Sequence, residues 1–173
     1  MPNAFKIINS PVGSLTLVAR DAKLAAVLWE VERPNRVILD VLEEDQTNPI
    51  LCKTERQLAE YFAGERVKFE LELDFAGTDF QKKVWQALLT IPFGETRSYS
   101  DIAHQIGNPK AVRAVGAANG KNPISIIAPC HRVIGMNGSL TGFAGGLETK
   151  RILLKLESIN IGQDNHSSQQ PLF

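Results

Sequence analysis

The apolar residues of this 173-residue chain change their spacing partway along it, and that change restricts the fold more than any other feature. As far as about residue 75, short apolar runs are separated by turn-forming residues. Residues 5–8 and 15–19 flank Asn9-Ser10-Pro11-Val12-Gly13-Ser14, a strong turn signal between two strands. Residues 24–31 make a third candidate strand, and 67–74 alternate strictly, as a strand with one wet face requires. Between them, 53–63 show helical spacing, with Leu58, Tyr61 and Phe62 on one face and Gly64 as a stop. After Ala76-Gly77-Thr78 the spacing becomes helical. The pattern predicts a mixed α/β (α+β) chain in two lobes. Residues 1–77 form a small antiparallel sheet with a helix, 78–162 a mainly helical lobe, and 163–173 a frayed polar tail.

In the second lobe Phe80, Val84, Ala87 and Leu88 share one face of a helix capped by Thr78 or Asp79 and ending before Pro92. Ser100 is placed to cap a short helix that stops at Gly107. Asn108-Pro109 then supplies a cap and a first-turn proline for a second helix. Two short helices across a tight glycine turn are the pattern of a helix-turn-helix. On the second helix Ala111, Val112, Val115 and Ala118 face one way. Lys110, Arg113 and Ala117 face the other, with Ala114 and Gly116 at the flanks. Such a face lets a backbone approach a phosphate-lined wall with one arginine protruding; an alanine-rich helix chosen for propensity, with Arg113 solvated, reads equally well. A last helix over 147–156 carries Ile152, Leu153 and Leu156 as its expected buried stripe.

No apolar run reaches the length of a membrane span, and the N-terminus lacks the pattern of a secretory signal, so a reducing intracellular setting is expected. There the two cysteines, Cys52 and Cys130, should both be thiols, Cys52 as a small buried hydrophobe. They are too few for a structural zinc site. The net charge is zero, but unevenly spread. Residues 1–78 carry nine Lys/Arg against thirteen Asp/Glu, and 79–173 ten against six. The second half therefore suits a polyanion, bound weakly and with salt sensitivity.

The chemistry concentrates in Pro129-Cys130-His131-Arg132-Val133, framed by Ile124-Ser125-Ile126-Ile127-Ala128 and by Ile134-Gly135. A thiolate needs a base or a positive field, which makes Cys130 a candidate nucleophile. Neighbours on an extended backbone point to opposite sides, so a relay between Cys130 and His131 must fold back or run through a water. A lone cysteine in an apolar run is otherwise an inert buried thiol. The flanking Pro, His and Arg, and the glycines Gly135, Gly138, Gly142, Gly145 and Gly146 of a loop able to close over a flat ligand, favour a site.

These segments resemble the 6-O-methylguanine-DNA methyltransferase family. The resemblance rests on Pro129-Cys130-His131-Arg132-Val133-Ile134-Gly135 with Arg113-Ala114-Val115-Gly116-Ala117-Ala118-Asn119-Gly120 and Asn122-Pro123. It continues through Tyr99-Ser100-Asp101-Ile102-Ala103 and Thr141-Gly142-Phe143-Ala144-Gly145-Gly146-Leu147, and more loosely through Tyr61-Phe62-Ala63-Gly64. It implies a ribonuclease H-like first lobe and a winged helix-turn-helix second lobe. It also implies an irreversible, single-turnover reaction: an alkylated guanine is flipped out of double-stranded DNA, and the alkyl group on its oxygen 6 passes to a cysteine, with oxygen 4 of thymine as a second substrate.

Carried onto this chain, the resemblance makes Cys130 the acceptor, His131 its base through a water and Glu157 the carboxylate that orients His131. Asn122 would tie the helix-turn-helix to the cysteine loop. Tyr99 would reach the guanine ring, Arg113 fill the gap left by the flipped base, and Lys110, Ala114 and Ala117 complete the DNA face. Val133, Phe143 and Ala144 would line the base pocket. Some relatives carry Tyr and Ser where this chain has Phe143 and Ala144, which removes one donor to the guanine oxygen. No cofactor, metal, membrane or stable protein partner is implied, and the expected form is a cytoplasmic monomer. A DNA-binding damage sensor of the same fold is the alternative, although sensors lack the cysteine and this chain has Cys130. A cysteine hydrolase would need an oxyanion hole and a peptide cleft, for which no signature is present.

Overall fold

The computed structural model describes residues 3–40, 42–136, 138 and 143–161. The expected polar tail, and Thr141 and Gly142 of the glycine loop, lie outside the described residues. The chain divides into two compact units. Unit 1 comprises residues up to Ala76 together with Pro123–Ile127, and unit 2 comprises Gly77–Asn122 and the residues from Ala128 onward. The short segment Pro123–Ile127, inside the range expected for the second lobe, thus groups with the first.

In unit 1, β1 (Asn3–Ile8), β2 (Leu15–Arg20) and β3 (Lys23–Leu28) form an antiparallel meander, and Gly13 takes a φ of 98° in the first turn. A short β4 (Leu42–Glu44), without a sequence signal, adds parallel to β1, so the sheet order is β3-β2-β1-β4. Helix α1 (Pro49–Phe62) starts earlier than its apolar spacing suggested. The Asn48 side chain accepts from the Ile50 and Leu51 amides, and Pro49 occupies the first turn, where no amide is needed. Leu51, Leu58 and Tyr61 are buried, and α1 lies against the sheet.

The alternating residues 67–74 do not form a strand. The Gln57 side chain occupies the Glu70 backbone instead, donating to its carbonyl at 3.2 Å and accepting from its amide at 2.9 Å. Its one sheet-like contact among the described residues is a bridge between Leu73 and Leu24. Farther along the same edge of β3, Val27 donates to the Pro123 carbonyl at 2.9 Å. Cys52 is half-buried rather than a core residue, with its sulfur 3.3 Å from the Gln46 carbonyl.

Unit 2 begins with α2 (Asp79–Leu88), closed by a capping box between Thr78 and Gln81. A β-carbon on Gly77 would stand 2.6 Å from the buried Trp85 ring, so any larger residue here forces a neighbour to shift. Two-residue strands β5 (Arg97–Ser98) and β6 (Val133–Ile134) pair in parallel. Ser98, not Ser100, caps α3 (Tyr99–Gln105), because Ser98 and Asp101 close a second capping box. Tyr99 therefore opens the helix. Asn108 accepts from Ala111 in a separate turn instead of capping the next helix, and α4 (Val112–Gly120) begins after Ala111 with no side-chain cap. The last helix, α5 (Leu147–Ile161), buries Lys150, Leu153, Leu154 and Glu157. Of the expected stripe Leu153 is kept, while Ile152 is 36% exposed and Leu156 only half-buried, and the buried face follows i, i+3, i+4 and i+7 instead. No helix among the described residues is long and apolar enough to cross a membrane.

Candidate active site

Residues 128–134 do not run extended but fold into a tight element that turns at Pro129. Ile126 has a φ of 72°, and the Ile127 amide donates to Ser125 at 2.8 Å, a strained γ-turn at a β-branched residue. Cys130–Arg132 then form one turn of 3-10 helix, with the Arg132 amide donating to the Pro129 carbonyl at 2.9 Å. Two asparagines hold this turn from α4 and its end. Asn122 donates to the Ala128 carbonyl at 2.8 Å, and Asn119 to the Cys130 carbonyl at 3.4 Å. Cys130 is 3% exposed and His131 fully buried.

The imidazole is oriented by α5. His131 Nε2 lies 2.6 Å from Glu157 Oε2. The same carboxylate accepts two bonds from Arg132, from Nε at 2.8 Å and Nη2 at 3.1 Å, and a longer one from the Gly94 amide at 3.4 Å. Arg132 also donates to the Ile91 carbonyl at 2.5 Å and lies over the Phe93 ring. Burial alone would raise the Glu157 carboxyl, but His131 and the fixed charge of Arg132 outweigh it and bring its pKa down to about 2. For His131 burial dominates and lowers its pKa from 6.5, so the ring is neutral at pH 7. With Nε2 held by the carboxylate, Nδ1 is left buried without a hydrogen-bond partner among the described residues. The site thus presents a buried thiol next to an imidazole with one committed and one uncommitted nitrogen.

The expected DNA-facing residues separate cleanly from this centre. Lys110, Arg113, Ala114 and Ala117 are all exposed, while Val115 and Ala118 are buried. Val112, expected on the inner face, is 37% exposed because the helix begins only there. Trp85 holds the inner face in register by donating to the Ala118 carbonyl at 2.8 Å. Tyr99 is half-buried and packs beside Gly116, where a β-carbon would sit 3.8 Å from its ring. It follows directly on β5, whose partner β6 follows directly on the cysteine turn. Of the proposed pocket residues, Val133 is buried and Phe143 and Ala144 are half-buried.

Sequence reasoning missed two buried cations. Arg132 had been noted only as a neighbour of the thiol, and Lys150 not at all. Lys150 lies seven residues before Glu157 on the same helix face, a spacing that could have revealed it.

Comparison with known proteins bears on both units. Residues 4–75 match a family described as 6-O-methylguanine DNA methyltransferase, ribonuclease-like domain, and 79–159 match its DNA binding domain. The methylated-DNA–protein-cysteine methyltransferase of Mycobacterium tuberculosis is 50% identical over 158 residues, covering 88% of this chain and 91% of that protein. The protein of the same name from Methanosarcina acetivorans is 49% identical over 153 residues, covering 88% and 97%. Among solved structures, OGT of M. tuberculosis in complex with DNA matches with a TM-score of 0.83 at 50% identity, over 91% of this chain and 94% of that one.

Proposed function

Because the chain belongs to the 6-O-methylguanine-DNA methyltransferase family, it repairs alkylated DNA by moving the alkyl group onto a cysteine of its own, and we propose that this cysteine is Cys130. The observation that carries the assignment is the buried chain from the Cys130 turn through His131 to Glu157. Cys52 sits in no such arrangement.

The reaction is a displacement at carbon. The Cys130 sulfur forms the new S–C bond, the C–O6 bond breaks, and its electron pair leaves with the guanine. The thiol proton passes through a water to Nδ1 of His131, the nitrogen that Glu157 leaves uncommitted. Glu157 is a positioning residue: it fixes the tautomer and stabilises the imidazolium. Asn122 holds the Ala128 carbonyl and so fixes the start of the cysteine turn. The thiol is not regenerated from the product thioether, so each molecule works once.

On the DNA side, α4 presents Arg113 above Ala114 and Ala117, with Lys110 on the approach. The small side chains let this helix settle into the minor groove, and Arg113 takes the place of the extruded base. Tyr99 donates to the guanine ring, while Val133, Phe143 and Ala144 surround the flipped base. Oxygen 4 of alkylated thymine presents the same carbon–oxygen bond and is accepted too. The functional boundaries are residues 1–77 and 78–162, with 163–173 a tail, in keeping with family matches over 4–75 and 79–159. The protein works in the cytoplasm as a monomer.

Incubation with duplex DNA carrying labelled 6-O-methylguanine tests the assignment. One label per protein molecule, lost in Cys130→Ala, is expected. Binding without transfer would identify a damage sensor, and label retained in Cys130→Ala would move the acceptor elsewhere.

A further inference from the structure

One groove of unit 2 has no part in the reaction set out above. It has a volume of about 720 Å³ and runs along an outer face of α2 to the C-terminal end of α3. Asp79, Lys83, Gln86 and Thr90 recur at i, i+4, i+7 and i+11, so they share one stripe, and Lys82 flanks it. The other wall is Gln105 and Ile106. The Gln105 amide donates to the Thr90 hydroxyl at 3.0 Å and ties the two walls, while Thr90 donates to the Ala87 carbonyl at 2.7 Å. Ala87 itself is buried, and its small side chain leaves the space between the walls open.

Charge decides what fits there. Lys82 and Lys83 are exposed, and neither makes an ion pair or a side-chain hydrogen bond among the described residues. Asp79 is the one acid of the groove's lining, and it stands in the first turn of α2, where the positive end of the helix dipole answers it. Gln86 adds a neutral donor. Two adjacent free cations along an elongated groove suit an anion that recurs along a polymer better than a single small ion. The position of the groove selects the polymer. Its α3 wall ends at Ile106, and Lys110, on the face of unit 2 assigned to DNA, follows four residues later. Four residues span at most about 14 Å. Phosphates of one DNA strand succeed one another every 3.4 Å or so along the axis, so that reach corresponds to about four base pairs.

We propose that this groove is a second contact for double-stranded DNA, in which Lys82 and Lys83 hold phosphates of one strand within about four base pairs of the stretch met by α4. The inference rests on α4 being the helix that meets DNA. The contact reads no base, because an ammonium neutralises a phosphate as a point charge. It therefore grips damaged and intact duplex alike, and holds the protein on DNA before any base is extruded.

Affinity for an undamaged duplex of about 24 base pairs, measured between about 50 and 200 mM salt, tests the contact without calling on alkyl transfer. Lys82→Gln/Lys83→Gln should bind about tenfold or more weakly near 100 mM, and the slope of log affinity against log salt should shrink by about 2, one per phosphate. Lys82→Arg/Lys83→Arg should keep the slope. Lys23→Gln/Lys53→Gln removes as much charge from exposed positions of unit 1 and should change the slope far less. In the unsubstituted protein, duplex should protect Lys82 and Lys83 from acetylation, read by mass spectrometry, at the DNA concentration that protects Lys110. An unchanged slope in the glutamine variant, with Arg113→Ala still weakening binding, would overturn the inference, leave α4 as the DNA helix and open the groove to an acidic protein segment. Equal loss in the unit 1 control would also overturn it, by reducing the effect to net charge. Lysines acetylated as fast with duplex as without would do the same, and that measurement needs no substituted protein.

Discussion

One carboxylate answers three groups: the buried Glu157 meets His131, Arg132 and, at longer range, the Gly94 amide. Its removal therefore has two separable effects. Glu157→Gln should slow alkyl transfer by roughly 100-fold or more in a single-turnover assay, because His131 loses the partner that fixes its tautomer. The same variant should be about 3–5 kcal/mol less stable in denaturant, because Arg132 stays buried and charged without a counter-ion. The pH dependence follows from the sign of the shift. Since the folded carboxyl sits at about 2 against an ordinary 4.5, its contribution is complete above pH 4.5 and is lost as pH falls towards 2. That contribution is about 3 kcal/mol. Acid titration of the melting temperature should show this loss, and Glu157→Gln should lack it. Gly77 offers a simpler case. In the sequence it marks only the break between the two lobes, yet a β-carbon there collides with Trp85. Gly77→Ala should cost about 1–3 kcal/mol by overpacking, measured by chemical denaturation.

Among the elements, α4 invites substitutions that separate binding from chemistry. Ala117→Leu places a bulky group on the exposed face without touching the cysteine turn. It should weaken duplex affinity at fixed salt while leaving the iodoacetamide reactivity of Cys130 unchanged; equal loss of both would place Ala117 in the structural core. The elements legible in the sequence were those specified by local chemistry. Thr78 with Gln81 announces the start of α2, and Asn9 to Ser14 announces the first hairpin. Elements decided by distant partners were not. Residues 67–74 have an ideal alternation, but the Gln57 side chain takes the backbone bonds a neighbouring strand would have made. The α5 stripe was only partly legible because Lys150 and Glu157 carry no apolar signal, although they are buried on partners at Val133 and His131. The reactive pair itself was visible from Cys130 and His131. Its geometry was not, because a 3-10 turn leaves no periodicity in three residues.

For the whole molecule, the chain order does not follow the structural units. Pro123–Ile127 belongs to unit 1, although the residues on either side of it belong to unit 2. Ile124, Ile126 and Ile127 are 0%, 1% and 6% exposed, and each contributes roughly 1.5–3 kcal/mol through burial. A fragment comprising residues 77–173 should therefore melt well below the full chain and bind a hydrophobic dye. A fragment as stable as the full chain would show that the packing of this segment with residues 1–76 is dispensable to stability.

That same excursion sets a schedule for the chain as it is made. The edge of β3 at Val27 receives its partner only when Pro123 and Ile124 have left the ribosome. At ordinary synthesis rates the wait is on the order of ten seconds. During that interval the amide of Val27 is open to any extended strand nearby, including one from a neighbouring nascent chain. Crowded polysomes are thus where this protein is most exposed to mispairing, before it has met any DNA.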